Sequence, residues 1–99
     1  MSIFARLREA IRDERPIALA TVVEGANVGA KLLVEPDAPA EGSLGDPDLD
    51  RVVARDVLGE LAAGTSGVRH YGEHGEARER AVSVFVETFA APPQLLVFG

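Results

Sequence analysis

The sequence predicts a small α+β domain: a mixed or antiparallel sheet of four to five strands with two helices, in the order α-β-β-(β)-α-β-β. Three observations carry that expectation. Two stretches repeat apolar residues at the helical period, and several others alternate or run apolar over strand length. Consecutive strand-like runs are joined by short Gly/Asn turns, the signature of hairpins. A chain of 99 residues, 46% of them hydrophobic, suits one domain with one core. Only four Phe and one Tyr are present, so that core must be built from Val, Leu, Ile and Ala.

The elements follow in order. Ile3, Phe4, Leu7 and Ile11 share a helical face, and Ser2 suits the N-cap. Pro16 bars the residue before it from the helix. Residues 17–23 are apolar on both faces and read as a central strand, with Ala18 and Ala20 forming a small-residue face. Glu24-Gly25-Ala26-Asn27 reads as a turn. Residues 28–34 place Val28, Ala30, Leu32 and Val34 on one side of a second strand, with Gly29, Lys31 and Leu33 on the other. Residues 35–41, with Pro36 and Pro39, read as loop, and 42–45 as a very short strand or tight turn.

Asp46-Pro47 opens the second helix: Asp46 is a good N-cap, and Pro47 suits the first helical position because its missing N–H has no helical partner to lose. Leu49, Val53, Val57 and Leu61 recur every fourth residue, and Gly64 stands where a left-handed C-cap belongs. Residues 68–72 read as a short strand, 73–76 as a polar turn, and 81–89 as an alternating strand. Ala90-Ala91-Pro92-Pro93-Gln94 has linker composition. Leu95-Leu96-Val97-Phe98-Gly99 reads as the buried first strand and glycine turn that open a parallel-sheet domain, the alternative being a last strand that completes this domain's own sheet. The expected division is therefore 1–89 as one domain, 90–94 as linker, and 95–99 as the start of a truncated Rossmann-type domain.

Charge and composition exclude several functions. The formal net charge is −6 and no basic patch offsets it, which disfavours nucleic acid. Cysteine is absent, so there is no disulfide framework, thiolate metal site or thiol nucleophile. No apolar run reaches membrane-spanning length, and no signal peptide is legible at the N-terminus. His70 and His74 lie among glycines and lack a third ligand in the sequence pattern, so no metal site is predicted. Asp46, Asp48 and Asp50 lack the glycine and bidentate Glu of a calcium loop and complement a helix dipole instead. Ser43, Thr65 and Ser66 have no evident base, and no catalytic residue is predicted. Lys31 stands inside an apolar strand. It either marks an edge strand or presents its ammonium to an anionic ligand.

Ile17-Ala18-Leu19-Ala20-Thr21-Val22-Val23, Gly29-Ala30-Lys31-Leu32-Leu33-Val34 and Gly42-Ser43-Leu44-Gly45 resemble, in order, the N-terminal domain of the XdhC/CoxI family. Val84-Phe85-Val86-Glu87 and the join at Pro92-Pro93-Gln94-Leu95-Leu96-Val97-Phe98-Gly99 extend the resemblance over nearly the whole chain. The chain departs from the family in a shorter loop at 24–27. It also holds Asp46-Pro47-Asp48-Leu49 and the 74–80 segment where the family carries cysteine-glycine motifs.

The resemblance implies an accessory, chaperone-like domain in the maturation of a molybdenum hydroxylase of the xanthine or carbon monoxide dehydrogenase type, not an enzyme by itself. It implies handling of molybdenum cofactor (molybdopterin) in the intact protein. The implied partners are a downstream Rossmann-type domain of the same chain, an apo molybdenum hydroxylase and a second copy in a homodimer, with no nucleic acid and no membrane, in the cytoplasm. The residues matching the family, hence the ligand-binding candidates, are Thr21, Gly29, Lys31, Gly42, Ser43, Gly45 and Glu87. Lys31 would neutralise an anion, Ser43 would hydrogen-bond it, and the glycines would let the backbone approach. The alternative is a structural or oligomerisation domain whose ligand site has decayed.

Overall fold

The computed structural model describes residues 2–77 and 79–89. The linker and the Rossmann-type start expected at 90–99 lie outside them. Helix α1 spans Ile3–Arg12, strand β1 Ile17–Glu24, β2 Lys31–Glu35 and β3 Ala38–Ser43. Helix α2 spans Pro47–Ala63, β4 Gly67–Tyr71 and β5 Val82–Phe89. The five strands form one sheet in the order β3-β2-β1-β5-β4, every neighbour antiparallel. The α+β class and element order are those the sequence predicts, and the apolar run of β1 is the central strand.

Side chains alternate across a strand, and that alternation splits the core in two. Ala18, Ala20 and Val22 of β1, Leu32 and Val34 of β2, and Val82, Val84 and Val86 of β5 meet Leu49, Val53, Val57 and Leu61 of α2. Ile17, Leu19 and Leu33 point the other way, against Ala10, Ile3 and Leu7 of α1. The small side chains of Ala18 and Ala20 lie on the α2 side, where they admit the longer helix.

Local chemistry sets the helix ends. The Ser2 Oγ accepts the Phe4 N–H at 3.0 Å, and Asp46 Oδ2 accepts the Leu49 N–H at 3.0 Å, each filling a donor the first turn leaves open. Gly64 closes α2 at φ 73°, a left-handed geometry that suits glycine.

Several expectations are corrected. Phe4 and Ile11 are 55% and 47% exposed, and Ala10 takes the buried position instead, because α1 meets the sheet through the narrower stripe of Ile3, Leu7 and Ala10. The second strand begins at Lys31 rather than 28; residues 25–29 form the hairpin turn, with Asn27 at φ 61°. Most of 35–41 is not loop. Glu35 ends β2, and β3 runs through Pro39, which an outermost strand tolerates. Lys31 does not mark an edge, since β2 has neighbours on both sides.

Glu35 explains why that segment is ordered. It is 7% exposed, takes Arg6 Nε at 2.8 Å on one oxygen and Arg15 Nη1 at 2.6 Å on the other. Arg6 also reaches Glu41 at 3.0 Å and the Pro39 carbonyl at 3.1 Å. The hydrogen bond to Glu41, followed by that to Glu35, holds the Arg6 guanidinium above its usual range despite burial. One arginine thus ties α1 to both β2 and β3.

Candidate functional site

On the face that carries α1, Lys31 pairs with Thr21 across β2 and β1, and Thr21 pairs with Phe85 of β5. Phe85 pairs in turn with Val68 of β4, completing a cross-strand row. Lys31, the single lysine of the chain, donates from Nζ to Thr21 Oγ1 at 3.3 Å. It enters no ion pair among the described residues. A half-buried ammonium with a hydroxyl beside it and no carboxylate partner is suited to take an anion.

Ser43 pairs with Lys31 across β3 and β2, but its hydroxyl turns to α2. Ser43 Oγ donates to Asp50 Oδ2 at 2.7 Å, and the Leu44 N–H donates to Asp50 Oδ1 at 2.7 Å. The Gly45 N–H donates to Ser43 Oγ at 3.0 Å. The donors of the 42–45 turn therefore converge on a carboxylate of the chain itself. An anion-binding turn needs these donors bare, and here Asp50 holds two of them. Gly42, at φ 93°, lies so close to β2 that an added Cβ would strike the Lys31 carbonyl oxygen and come within 2.7 Å of Ile3 Cδ1, a packing reason for glycine.

Gly29 lies in the hairpin turn, where its N–H donates to the Val22 carbonyl at 2.8 Å. The same turn presents Asn27 against Gly45, where any Cβ would strike the Asn27 amide. Glu87 pairs with Leu19 and stands one row from Thr21 on the same face. Of the seven candidates, the structure joins Thr21 to Lys31 and Ser43 to Gly45, aligns Lys31 with Ser43, sets Gly42 against the Lys31 backbone, and leaves Gly29 and Glu87 outside these contacts.

Two polar clusters were not legible in the chain. His74 Nδ1 and Asp46 Oδ1 are 3.0 Å apart, and ligand atoms of Asp46, Asp48 and His74 all lie within 4.8 Å of one another. Tertiary folding thus supplies carboxylates that the histidine spacing alone lacks. The bond to Asp46 raises the His74 pKa, while the Leu49 N–H and then His74 lower that of Asp46. Asp48 is engaged by Arg51 at 3.1 Å. The cluster sits at the N-terminus of α2, where the dipole favours anions over cations.

In the other cluster, Ser83 is 3% exposed and donates to Glu24 Oε1 at 2.9 Å. His70 Nδ1 lies 2.9 Å from Ser83 Oγ. With the hydroxyl proton given to Glu24, His70 must donate from Nδ1, which leaves Nε2 as its free acceptor. The proton on Ser83 faces a carboxylate and not the imidazole, so the order is not that of a serine nucleophile and its histidine base. These residues meet because β4 and β5 pair His70 with Ser83; their separation in sequence gives no signal of it.

A cavity of about 340 Å³ runs along β4, lined by Val68, Arg69, His70, Tyr71, Asp56 and Ala77. In it the Tyr71 hydroxyl donates to Asp56 Oδ2 at 3.0 Å, and burial, then the Asp56 charge, raises the Tyr71 pKa.

Whether a molybdenum cofactor fits can be judged from the donors. With no cysteine the chain offers no thiolate to the metal, and the Ser43 hydroxyl and Leu44 N–H are held by Asp50. The Lys31–Thr21 pair fits a phosphate or similar anion only.

The XdhC and CoxI family matches the chain over residues 10–72, from the last turns of α1 to the end of β4. No curated protein matches it.

Proposed function

The chain belongs to the XdhC and CoxI family, and from that premise we propose that it is an accessory domain in the maturation of a molybdenum hydroxylase, where it handles molybdenum cofactor as cargo with a downstream Rossmann-type domain. The observation that carries this reading is the Lys31 ammonium, hydrogen-bonded to Thr21 and free of any described carboxylate. It would neutralise the anionic end of the cargo, while the metal would be held elsewhere, since the chain has no thiolate. Thr21 would share the anion through its hydroxyl. Gly29, Gly42, Ser43, Gly45 and Glu87 would shape the surroundings of that pair. The client would be an apo hydroxylase, and the setting cytoplasmic; no described helix is long and apolar enough to cross a membrane.

Calorimetry with phosphate, molybdate and a pterin phosphate tests the reading. Binding by the parent chain, lost in Lys31→Met, is the expected result. Lys31→Met keeps the packing stem, so the fold should persist. Absence of binding by all three ligands, or equal binding by the variant, removes the anion site.

A second reading is favoured by one observation: Asp50 takes the donors of the 42–45 turn. On that reading the domain is structural or joins subunits, and the turn serves to dock β3 onto α2.

A further inference from the structure

The two edges of the sheet are treated differently by the sequence. The β3 edge is blocked. Pro39 has no N–H to offer, its carbonyl takes Arg6, Glu41 is drawn into the same arginine, and the β2–β3 register shifts between Leu33 and Glu35. The β4 edge has none of these devices. Gly67–Tyr71 contains no proline or lysine, keeps continuous register with β5, and is the outermost strand among the described residues. Its one strongly charged side chain, Arg69, is already ion-paired with Glu60. Val68 is 51% exposed at the end of the Lys31–Thr21–Phe85–Val68 row.

We propose that β4 pairs antiparallel with the β4 of a second copy of this chain, about a two-fold axis at Val68, to form a continuous ten-stranded sheet. Charge selects both the occupant and the register. An axis at Arg69 would set two guanidinium groups opposite each other, which is unfavourable. An axis at Val68 sets Arg69 opposite the partner's Gly67, which has no side chain. Glu60 of α2 accepts from Thr65 just before Gly67 and pairs with Arg69, so it flanks this stretch of strand. Each Arg69 then lies between its own Glu60 and the partner's, a reciprocal arrangement that a two-fold contact provides automatically. On the other face the two Val68 side chains meet and extend the apolar row through Phe85 of both copies. In this register only Gly67, Val68 and Arg69 of each β4 face the partner's β4, a small interface of the weakly associating class, so the dimer should be concentration-dependent.

The test uses the full 99-residue chain. Sedimentation equilibrium between about 1 μM and 1 mM, the range a small interface implies, should show the mass rising from 10.5 kDa towards twice that. Val68→Lys, placing a charge on the open edge, should hold the mass at one chain with an unchanged circular dichroism spectrum. Because the chain has no cysteine, single-cysteine variants read the register directly. Residues facing themselves across an antiparallel pair are about 4.5–5.5 Å apart at Cα, within disulfide reach. Val68→Cys should oxidise to a covalent dimer at least tenfold faster than His70→Cys. A parent that stays monomeric throughout, or His70→Cys crosslinking as fast as Val68→Cys, would overturn the proposal, and neither result depends on whether Val68→Lys folds. A dimer that survives in a folded Val68→Lys variant would overturn it as well.

Discussion

The Asp50 carboxylate of α2 grips the turn that ends β3: Oδ2 accepts the Ser43 hydroxyl and Oδ1 the Leu44 N–H, both at 2.7 Å. A side chain on the first turn of α2 thereby occupies the donors that a bound anion would take, and fixes the helix to the sheet edge as it does so. Asp50→Ala should destabilise the domain by about 1–3 kcal/mol, because it strands a backbone donor beside the buried Leu44. Phosphate should restore stability to the variant more than to the parent. Urea unfolding in phosphate and in chloride at matched ionic strength measures this; equal gains for both proteins would show that the carboxylate does not stand where an anion would.

Glu35 gives a second expectation. Its two oxygens hold Arg6 and Arg15, so Glu35→Ala leaves Arg6, with 18% of its side chain exposed, to Glu41 and the Pro39 carbonyl. Arg15 is 45% exposed and returns to water. The loss should be about 1–3 kcal/mol, below that of a fully buried pair. Hydrogen exchange should quicken first in α1, which Arg6 fastens to β2 and β3. An unchanged α1 with general loss elsewhere would contradict this account.

The His74–Asp46 pair makes stability depend on pH in two places. The folded pKa of His74 is raised, so its contribution is fully present below the unfolded value near 6.5 and is lost as pH rises through the higher folded value. That of Asp46 is lowered, so its contribution is present above about 3.8 and is lost as pH falls through the lower folded value. His74→Asn should remove the alkaline-side slope and leave the fold intact. An NMR titration giving His74 an ordinary pKa would refute the pairing in solution.

The smaller core beneath α1 should be as costly to disturb as the larger one. Leu33 is fully buried against Ile17, Leu19 and Ala10, and Leu33→Ala should cost about 2–5 kcal/mol. Val23 is 47% exposed on the same strand face, and Val23→Ala should cost under about 0.5 kcal/mol. Thermal unfolding of the two variants separates these cases. A loss at Leu33 no greater than at Val23 would mean that α1 does not seal this side of the sheet.

Much of the fold was legible because it rests on periodicity and local chemistry. Leu49, Val53, Val57 and Leu61 repeat along one helical stripe, Asp46-Pro47 and Gly64 mark its ends, and the apolar run after Pro16 needs a neighbour on both sides. The covered face of the first helix is less legible. Phe4 and Ile11 fit an apolar face as well as Ala10 does, and only contact with the sheet decides which of them is covered. The strand through Pro39 was hidden because proline argues against a strand unless that strand is an edge, and edge position is a property of the whole sheet.

The sequence by itself determined the element types, their order, the central place of the 17–23 run and the family resemblance that marks Lys31 and Thr21. These follow from side-chain period, capping chemistry and residue type, which act over a few positions along the chain. Tertiary structure alone decided which polar atoms meet. It gave Ser43 to Asp50, His70 to Ser83, Ser83 to Glu24, His74 to Asp46, and Glu35 to two arginines from α1 and the segment after it. It also left Lys31 with a hydroxyl for company and no described carboxylate. The physical reason is that a hydrogen bond forms or fails over a few tenths of an ångström, and that distance is set by strand register and helix docking between residues far apart in the chain.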